Sequence, residues 1–420
     1  MFTLFDFDKR IYNIDKDALA LCKNAFSTVE ETASYNSAKV LKAFIGNGVS
    51  DIHFGISTGY GYGDVGREVL EKVFSDIVGA ESSLIRHNFM SGTHTLSVGL
   101  FGLLRPGDTM LSVVGRPYDT LIGVLGLDGK TNGSLKEFGV NYDEVPLNEN
   151  IPDYAEIERK INEKYYKMVY IQRSRGYSLR KSLTVADIEK IVKIVRTNSP
   201  DSIIFVDNCY GEFTEKKEPT DVGADIIAGS LIKNPGGGIA RTGGYIAGKK
   251  RYVDMCAERL TCPGVGGEIG ATLGMNRELF LGLFFAPEVV SQALKTAIYT
   301  AAVFSSLGYS VYPGVDEKRG DIVEAIKLGD RNSLISFCKG IQSGSPVDAH
   351  LSPEPWAMPG YDSDVIMAAG TFTGGASIEL SADAPLREPF AVWMQGGLNF
   401  NTAKIGVLSA VNNMIKDEIL

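Results

Sequence analysis

Cysteine and histidine are scarce in this chain, and their scarcity excludes whole classes of protein. Five cysteines (Cys22, Cys209, Cys256, Cys262 and Cys338) are scattered through 420 residues, odd in number and never in a C-x-x-C pair. They indicate neither a disulfide framework nor a zinc site. The four histidines are equally scattered, so no metal is expected. Long apolar runs are also missing: the nearest, Leu279 to Ala286, is far too short to span a bilayer. The opening segment, MFTLFDFDKRIYNIDKD, has early acids and no apolar h-region, unlike a secretory signal. Excess positive charge is lacking too. A net charge of −9 argues against a nucleic-acid or anionic-membrane partner. These absences leave a reducing, cytoplasmic location as the expectation. On so acidic a surface, any anionic ligand must be held by locally concentrated cations and helix ends.

Hydrophobic residues make up 44% and charged residues 22%, ordinary values for a globular protein, and the length exceeds one ordinary core. Residues 15–50 read as helical, with Leu19, Phe26, Val29, Val40 and Phe44 recurring near every third or fourth position. A glycine-dense break follows, GISTGYGYGDVG from Gly55 to Gly66, which only a loop tolerates. It fits neither the Rossmann nor the P-loop spacing. From Arg67, helical stretches (67–78, 93–104, 186–196) alternate with short apolar runs (109–114, 168–172, 202–206, 226–228, 245–247). Short buried strands between helices predict an α/β domain with a largely parallel sheet. After Ala286 the punctuation changes. A helix is expected over 288–307, strand alternation near 376–381, and a closing helix over 401–417. The expected division is an N-terminal helical arm (1–55), a large domain (56–286) and a smaller C-terminal α+β domain (287–420).

Four features carry chemistry, each with a plainer alternative. SGTHT (Ser91 to Thr95) opens a helix with small residues, which lets backbone N–H groups approach an anion; it is also an ordinary N-cap. Tyr118 follows the strand 109–114, where an aromatic can stack on a flat ring or simply line a loop. Asp207 ends the apolar run SIIFVD, placed to pair with a protonated ring nitrogen or to cap the turn after it. Lys233 follows the buried run Asp225–Leu231 and precedes Pro235 and three glycines, an odd position for a solubilising charge. Lysine is the amine that forms a Schiff base with a carbonyl cofactor. Ser230, three residues earlier, is placed to hold a phosphate oxygen. Cys209 reads more readily as a small core residue than as a nucleophile.

The order of these features resembles the fold-type-I pyridoxal 5′-phosphate (PLP) enzymes, within them the cystathionine/methionine gamma-lyase branch. Tyr118 follows Gly92 by 26 positions, and Lys233 follows Asp207 by the same number, separations like those of that branch. QRSRGYSLR, VDNCYGEF, SLIKNPGGGIARTGGYIAG and RLTCPGVGGEIGATLG are similar to a bacterial group described as methionine gamma-lyase-like or aluminium-resistance proteins. The resemblance covers nearly the whole chain. It implies an aspartate-aminotransferase-like fold with a mostly parallel, seven-stranded central sheet, PLP as cofactor, and a homodimer or homotetramer. It implies Lys233 as the Schiff-base lysine, Asp207 as ring-nitrogen partner and Tyr118 as stacking aromatic. Ser91, Gly92, Thr93 and Ser230 then face the phosphate, with Tyr60 or Tyr62 reaching a neighbouring subunit's site and Arg67 a candidate cation.

Two departures limit the transfer. The lyases' acid-Thr-Pro-x-Asn segment is replaced by Gln172-Arg173-Ser174-Arg175-Gly176, and their substrate-carboxylate arginine by Ser377-Ile378-Glu379. Arg173, Arg175 and Arg387 become the candidates for an amino-acid substrate's carboxylate. The activity the resemblance implies is carbon–sulfur elimination. An aminotransferase, a decarboxylase, or a PLP-binding metal-tolerance protein with little turnover stands as the alternative.

Overall fold

Four apolar runs that show no alternation of polar and apolar residues become four strands buried along their whole length. Strands covered on both faces have no solvent side for polar residues to mark. The computed structural model describes residues 3–358 and 363–420, in two units: 35–286, and 1–34 together with 287–420. The stretch expected as a separate arm, 1–55, is therefore divided between them. Its helix α1 (Arg10–Gly46) runs unbroken through that division.

In the larger unit, α2 (Val65–Val78) leads into β1 (Ser82–Arg86), α3 (Gly92–Leu103), β2 (Thr109–Ser112), α4 (Asp119–Leu125) and β3 (Asn141–Glu144). There follow α5 (Tyr154–Glu163), β4 (Met168–Gln172), α6 (Val185–Asn198), β5 (Ile203–Asp207), β6 (Ile226–Ser230), β7 (Gly244–Gly248) and α7 (Lys250–Leu260). The seven strands form one sheet in the order β1-β7-β6-β5-β4-β2-β3. Pairing is parallel from β3 through β6, and β7 runs antiparallel to both β6 and β1. Local chemistry sets the helix ends. Asp64 caps α2 by accepting from Arg67 N at 2.8 Å, and Thr184 caps α6 by accepting from Asp187 N at 3.2 Å. Leu96, Leu100 and Leu103 of α3 join Phe205, Ile226 and Ile246 in the buried core, each worth roughly 1.5–3 kcal/mol. Register then places the functional edge: Gln172 is level with Asp207, and Asp207 with Ala228, so the carboxyl ends of β4, β5 and β6 open side by side. Ligands of open α/β sheets bind at that edge.

The helix expected over 288–307 begins earlier. As α8 it spans Asn276–Ser306, with Pro287 inside it. The smaller unit adds β8 (Ser310–Tyr312), β9 (Val323–Lys327), α9 (Arg331–Ser343), β10 (Val365–Ala368), β11 (Ser381–Pro385), β12 (Ala391–Gln395) and α10 (Phe400–Lys416). Its antiparallel sheet has the order β10-β11-β12-β9-β8. The strand expected at 376–381 starts only at Ser381. The preceding residues serve another purpose: Glu379 accepts from the N–H groups of Phe372 and Thr373, both at 2.8 Å, and Ile378 O accepts from Gly397 N. Asp15 of α1 ties this unit together, accepting from Tyr299 of α8 at 2.7 Å and pairing with Lys404 of α10 at 3.0 Å. Among the described residues no helix is long and apolar enough to cross a membrane.

Candidate active site

Asp207 is the last residue of β5, and its carboxyl is buried beyond the reach of bulk water. It accepts from Cys209 N at 3.1 Å and from the Tyr170 hydroxyl at 3.4 Å. Burial pushes its pKa up, against the pull of the Cys209 groups and of Lys233. Lys233 lies three residues beyond β6, half-buried, with its Nζ 3.6 Å from the centre of the Tyr210 ring. Burial pulls its pKa down, but Tyr210, Cys209 and Asp207 outweigh that and hold it above the usual lysine range. The Cys209 thiol is forced well up by burial and by Asp207, which keeps it protonated and unsuited to act as a nucleophile.

Across from this group, Ser91 caps α3 by accepting from His94 N at 3.1 Å, so the helix opens at Gly92. An added Cβ on Gly92 would fit in ordinary van der Waals contact and fill the space beside it. A Cβ there would lie 3.4 Å from Cys209 Sγ, 3.4 Å from Ser230 Cβ and 3.9 Å from Lys233 Cε. Thr93 shares hydrogen bonds of 2.9 Å with the hydroxyls of Tyr118 and Thr120. Tyr118 is anchored a second time, its N–H donating to Gln172 Oε1 at 2.9 Å, and burial next to Asp207 raises its phenol. Gly176, at φ +57°, brings the loop after β4 against it. Ser91, Gly92, Thr93, Tyr118, Asp207, Ser230 and Lys233 therefore border one space. The donor set fits PLP on two observations. The Ser230 hydroxyl is fully buried and has no hydrogen-bond partner among the described residues, as a phosphate ligand would be before its phosphate arrives. Beside it lies the helix start whose first residue is the side-chain-free Gly92.

The arginines divide differently from the sequence expectation. Arg173 is fully buried and already engaged: its fork donates to Leu183 O, Asn208 Oδ1, Thr214 Oγ1 and Glu215 Oε1, and it pairs with Glu218 at 3.5 Å. It cannot also grip a substrate carboxylate without leaving two acids behind. Arg175 is buried in the same loop, directly before Gly176, and it is Gly176 that meets Tyr118. Arg387 belongs to the other unit, exposed in the turn between β11 and β12. Arg67, read as a phosphate cation, instead braces the glycine loop, donating to Gly61 O, Gly270 O and Glu268 O at 2.7–3.1 Å. Tyr60 and Tyr62 stand on that loop 74% and 67% exposed, their ring centroids 5.9 Å apart.

Two residues escaped the sequence reading. Tyr210, under Lys233, holds a left-handed φ of +68°; its position three residues beyond Asp207 in NCYGEF was the available signal. Arg180, in the motif QRSRGYSLR, closes the 173–180 loop by donating to Gln172 O at 2.8 Å and to Ser174 O.

A seven-stranded sheet of this order and edge, with a second antiparallel sheet, is the fold of the fold-type-I PLP-dependent enzymes. The PLP-dependent protein YhfS of Escherichia coli shares it, with a TM-score of 0.62 at 16% identity over 91% of this chain and 96% of that one. The chain belongs to the methionine gamma-lyase family, whose profile matches residues 11–415. The uncharacterized protein YnbB of Bacillus subtilis is 47% identical over 93% of both chains. The structure of a carbon-sulfur lyase involved in aluminum resistance from Clostridium novyi superposes with a TM-score of 0.95 at 49% identity, covering 98% of each chain.

Proposed function

We propose that this protein is a PLP-dependent carbon–sulfur lyase acting on an amino acid by elimination of the methionine gamma-lyase or cystathionine beta-lyase type. The observation that carries the reading is the placement of Lys233, Asp207 and the unpartnered Ser230 hydroxyl around the one space that Gly92 keeps open. When bound, PLP supplies an electron sink for negative charge developing at the substrate's α-carbon. Lys233 offers the amine that holds the cofactor covalently, and once released it is placed to move a proton at that carbon. Asp207 would pair with the ring nitrogen and keep it protonated, which is what would make the sink deep. Tyr118 would cover the ring face, while Ser91, Gly92, Thr93 and Ser230 would take the phosphate. Arg175 is the cation assigned to the substrate carboxylate, from its place just before Gly176 in the loop after β4. A homodimer, in which the Tyr60/Tyr62 loop completes the partner's site, accounts for two exposed tyrosines on a braced loop.

Borohydride reduction of the purified protein followed by peptide mapping tests the core of this reading. The expected label is on Lys233, and Lys233→Ala is expected to lose covalent cofactor and nearly all turnover. A label on Lys249 or any other lysine overturns the assignment. A screen of sulfur amino acids for release of pyruvate, 2-oxobutyrate or ammonia tests the reaction; transfer of the amino group without release of any of these overturns it.

A further inference from the structure

We propose that Tyr210 is a further residue of this site: its ring is the seat on which the Lys233 ammonium rests, and it sets how readily that amine gives up its proton. The inference rests on the reading of Lys233 as the reactive amine. It starts from the backbone. Tyr210 holds φ +68° and Phe213 φ +62°, conformations that non-glycine side chains seldom adopt, within the four residues 210–213. Such strain persists only where the surroundings enforce it, and here they do. Arg173 donates to Asn208, Thr214 and Glu215, Asn208 donates to Glu218 Oε2 at 3.0 Å, and Phe213 N donates to Glu218 Oε1 at 2.9 Å. A fully buried guanidinium thus pins both ends of the segment and presents Tyr210 face-on to Lys233 Nζ at 3.6 Å.

A cation over a tyrosine face is stabilised most where water is excluded. Burial alone lowers the pKa of Lys233, so the neighbours must account for its being raised; the Tyr210 hydroxyl, Cys209 and Asp207 act there beside the ring that the ammonium rests on. The other groups facing Lys233 are Asp207 at the end of β5 and Cys209 on the loop after it; Tyr170 and Tyr118 border Asp207, and α3 brings Gly92 close, with His94 in the same turn. Asp207 and Cys209 lie three and one residues closer to the strand and serve the ring side of the site, whereas Tyr210 is the group whose ring faces Lys233 Nζ. An amine attacks a carbonyl only when neutral. By favouring the cation, Tyr210 restrains Lys233 from condensing with stray aldehydes and holds its Nζ in place.

The test is the pH profile of Lys233 acylation by acetic anhydride in the full-length, cofactor-stripped chain, read by peptide mapping with exposed Lys130 as internal reference. Tyr210→Leu keeps the apolar volume and removes the ring. Its midpoint for Lys233 is expected to fall by about one pH unit, a tenfold gain in neutral amine at a given pH. Tyr210→Phe keeps the ring and is expected to fall by less than half of that. Should Tyr210→Leu not fold, Tyr210→Met is the substitute. A midpoint within about 0.3 unit of wild type in the ring-less variant overturns the proposal. Because no cofactor is present, this result is independent of the borohydride mapping: a label on another lysine defeats the proposed function, an unmoved midpoint defeats the role of Tyr210.

Discussion

Gly92 and Ser230 face each other across a gap that one methyl group would close, a Cβ on Gly92 falling 3.4 Å from Ser230 Cβ, and the Ser230 hydroxyl in that gap has no partner among the described residues. A buried hydroxyl without a partner costs folding free energy. Ser230→Ala is therefore expected to leave the cofactor-stripped protein as stable as wild type or more stable by about 1 kcal/mol, while weakening PLP binding roughly tenfold. Thermal melts of stripped protein and equilibrium PLP titrations check the two arms. A hydroxyl that serves only folding gives the reverse pattern.

Arg173 and Arg175, two positions apart, are expected to fail in different ways. Arg173→Ala strands Glu215 and Glu218 and should cost about 3–5 kcal/mol in denaturant unfolding. Gly211→Ala should follow it, at about 1–3 kcal/mol, because the new Cβ would lie 2.4 Å from Arg173 Cδ, and a fully buried fork cannot swing aside.

Arg175→Ala should instead keep its bound cofactor. Its expected loss is in kcat/KM, about 30- to 150-fold, the worth of a charge-assisted bidentate contact. A loss below about threefold with every amino acid tested would remove Arg175 from the substrate site.

Glu212 gives the stability a pH dependence of definite sign. It is buried under β6, accepts from the Tyr245 hydroxyl at 2.6 Å, and burial pushes it up to about 8. In the unfolded chain a glutamate titrates near about 4.3. Between those values the folded state keeps a proton that the unfolded state has lost, so the stabilisation is whole below about pH 4.3, falls as pH rises, and is gone above about 8. Glu212→Gln should flatten the decline in melting temperature between about pH 5 and 8. An unchanged slope would mean that another group carries it.

For the exposed pair Tyr60 and Tyr62, subunit mixing is the direct measurement. Lys233→Ala protein and a Tyr60→Ala/Tyr62→Ala variant, each inactive alone, should recover activity when allowed to exchange subunits, since one hybrid site then has every residue. Mixtures shown to exchange but without recovery would place both tyrosines outside any shared site.

Much of the larger unit was legible from sequence because its signals are local. An apolar run of strand length such as IIFVD needs no partner to be recognised, and the acid at its end marks the sheet edge wherever the strand lies. Arg173 was not legible, because its partners Asn208, Thr214, Glu215 and Glu218 lie 35 to 45 residues away and the residue type suits a ligand and a clamp equally. The alternation at 376–381 misled for a related reason: Glu379 spends its carboxylate on the N–H groups of the preceding loop, a long-range choice that periodicity does not contain. The change of punctuation after Ala286 falls where the division between the two units falls, although α8 continues through Pro287.

The glycine loop holds one more lesson. By composition Gly55–Gly66 ought to wander, but Arg67 grips three carbonyls around it, and Thr272 donates to Asp64 at 2.8 Å while sharing a 3.0 Å hydrogen bond with Ser57. Tyr60 and Tyr62 are thus displayed like type set in a frame. Whatever surface meets them will not have to freeze the loop first, so the entropy of ordering that weakens most loop-mediated recognition has already been spent in folding.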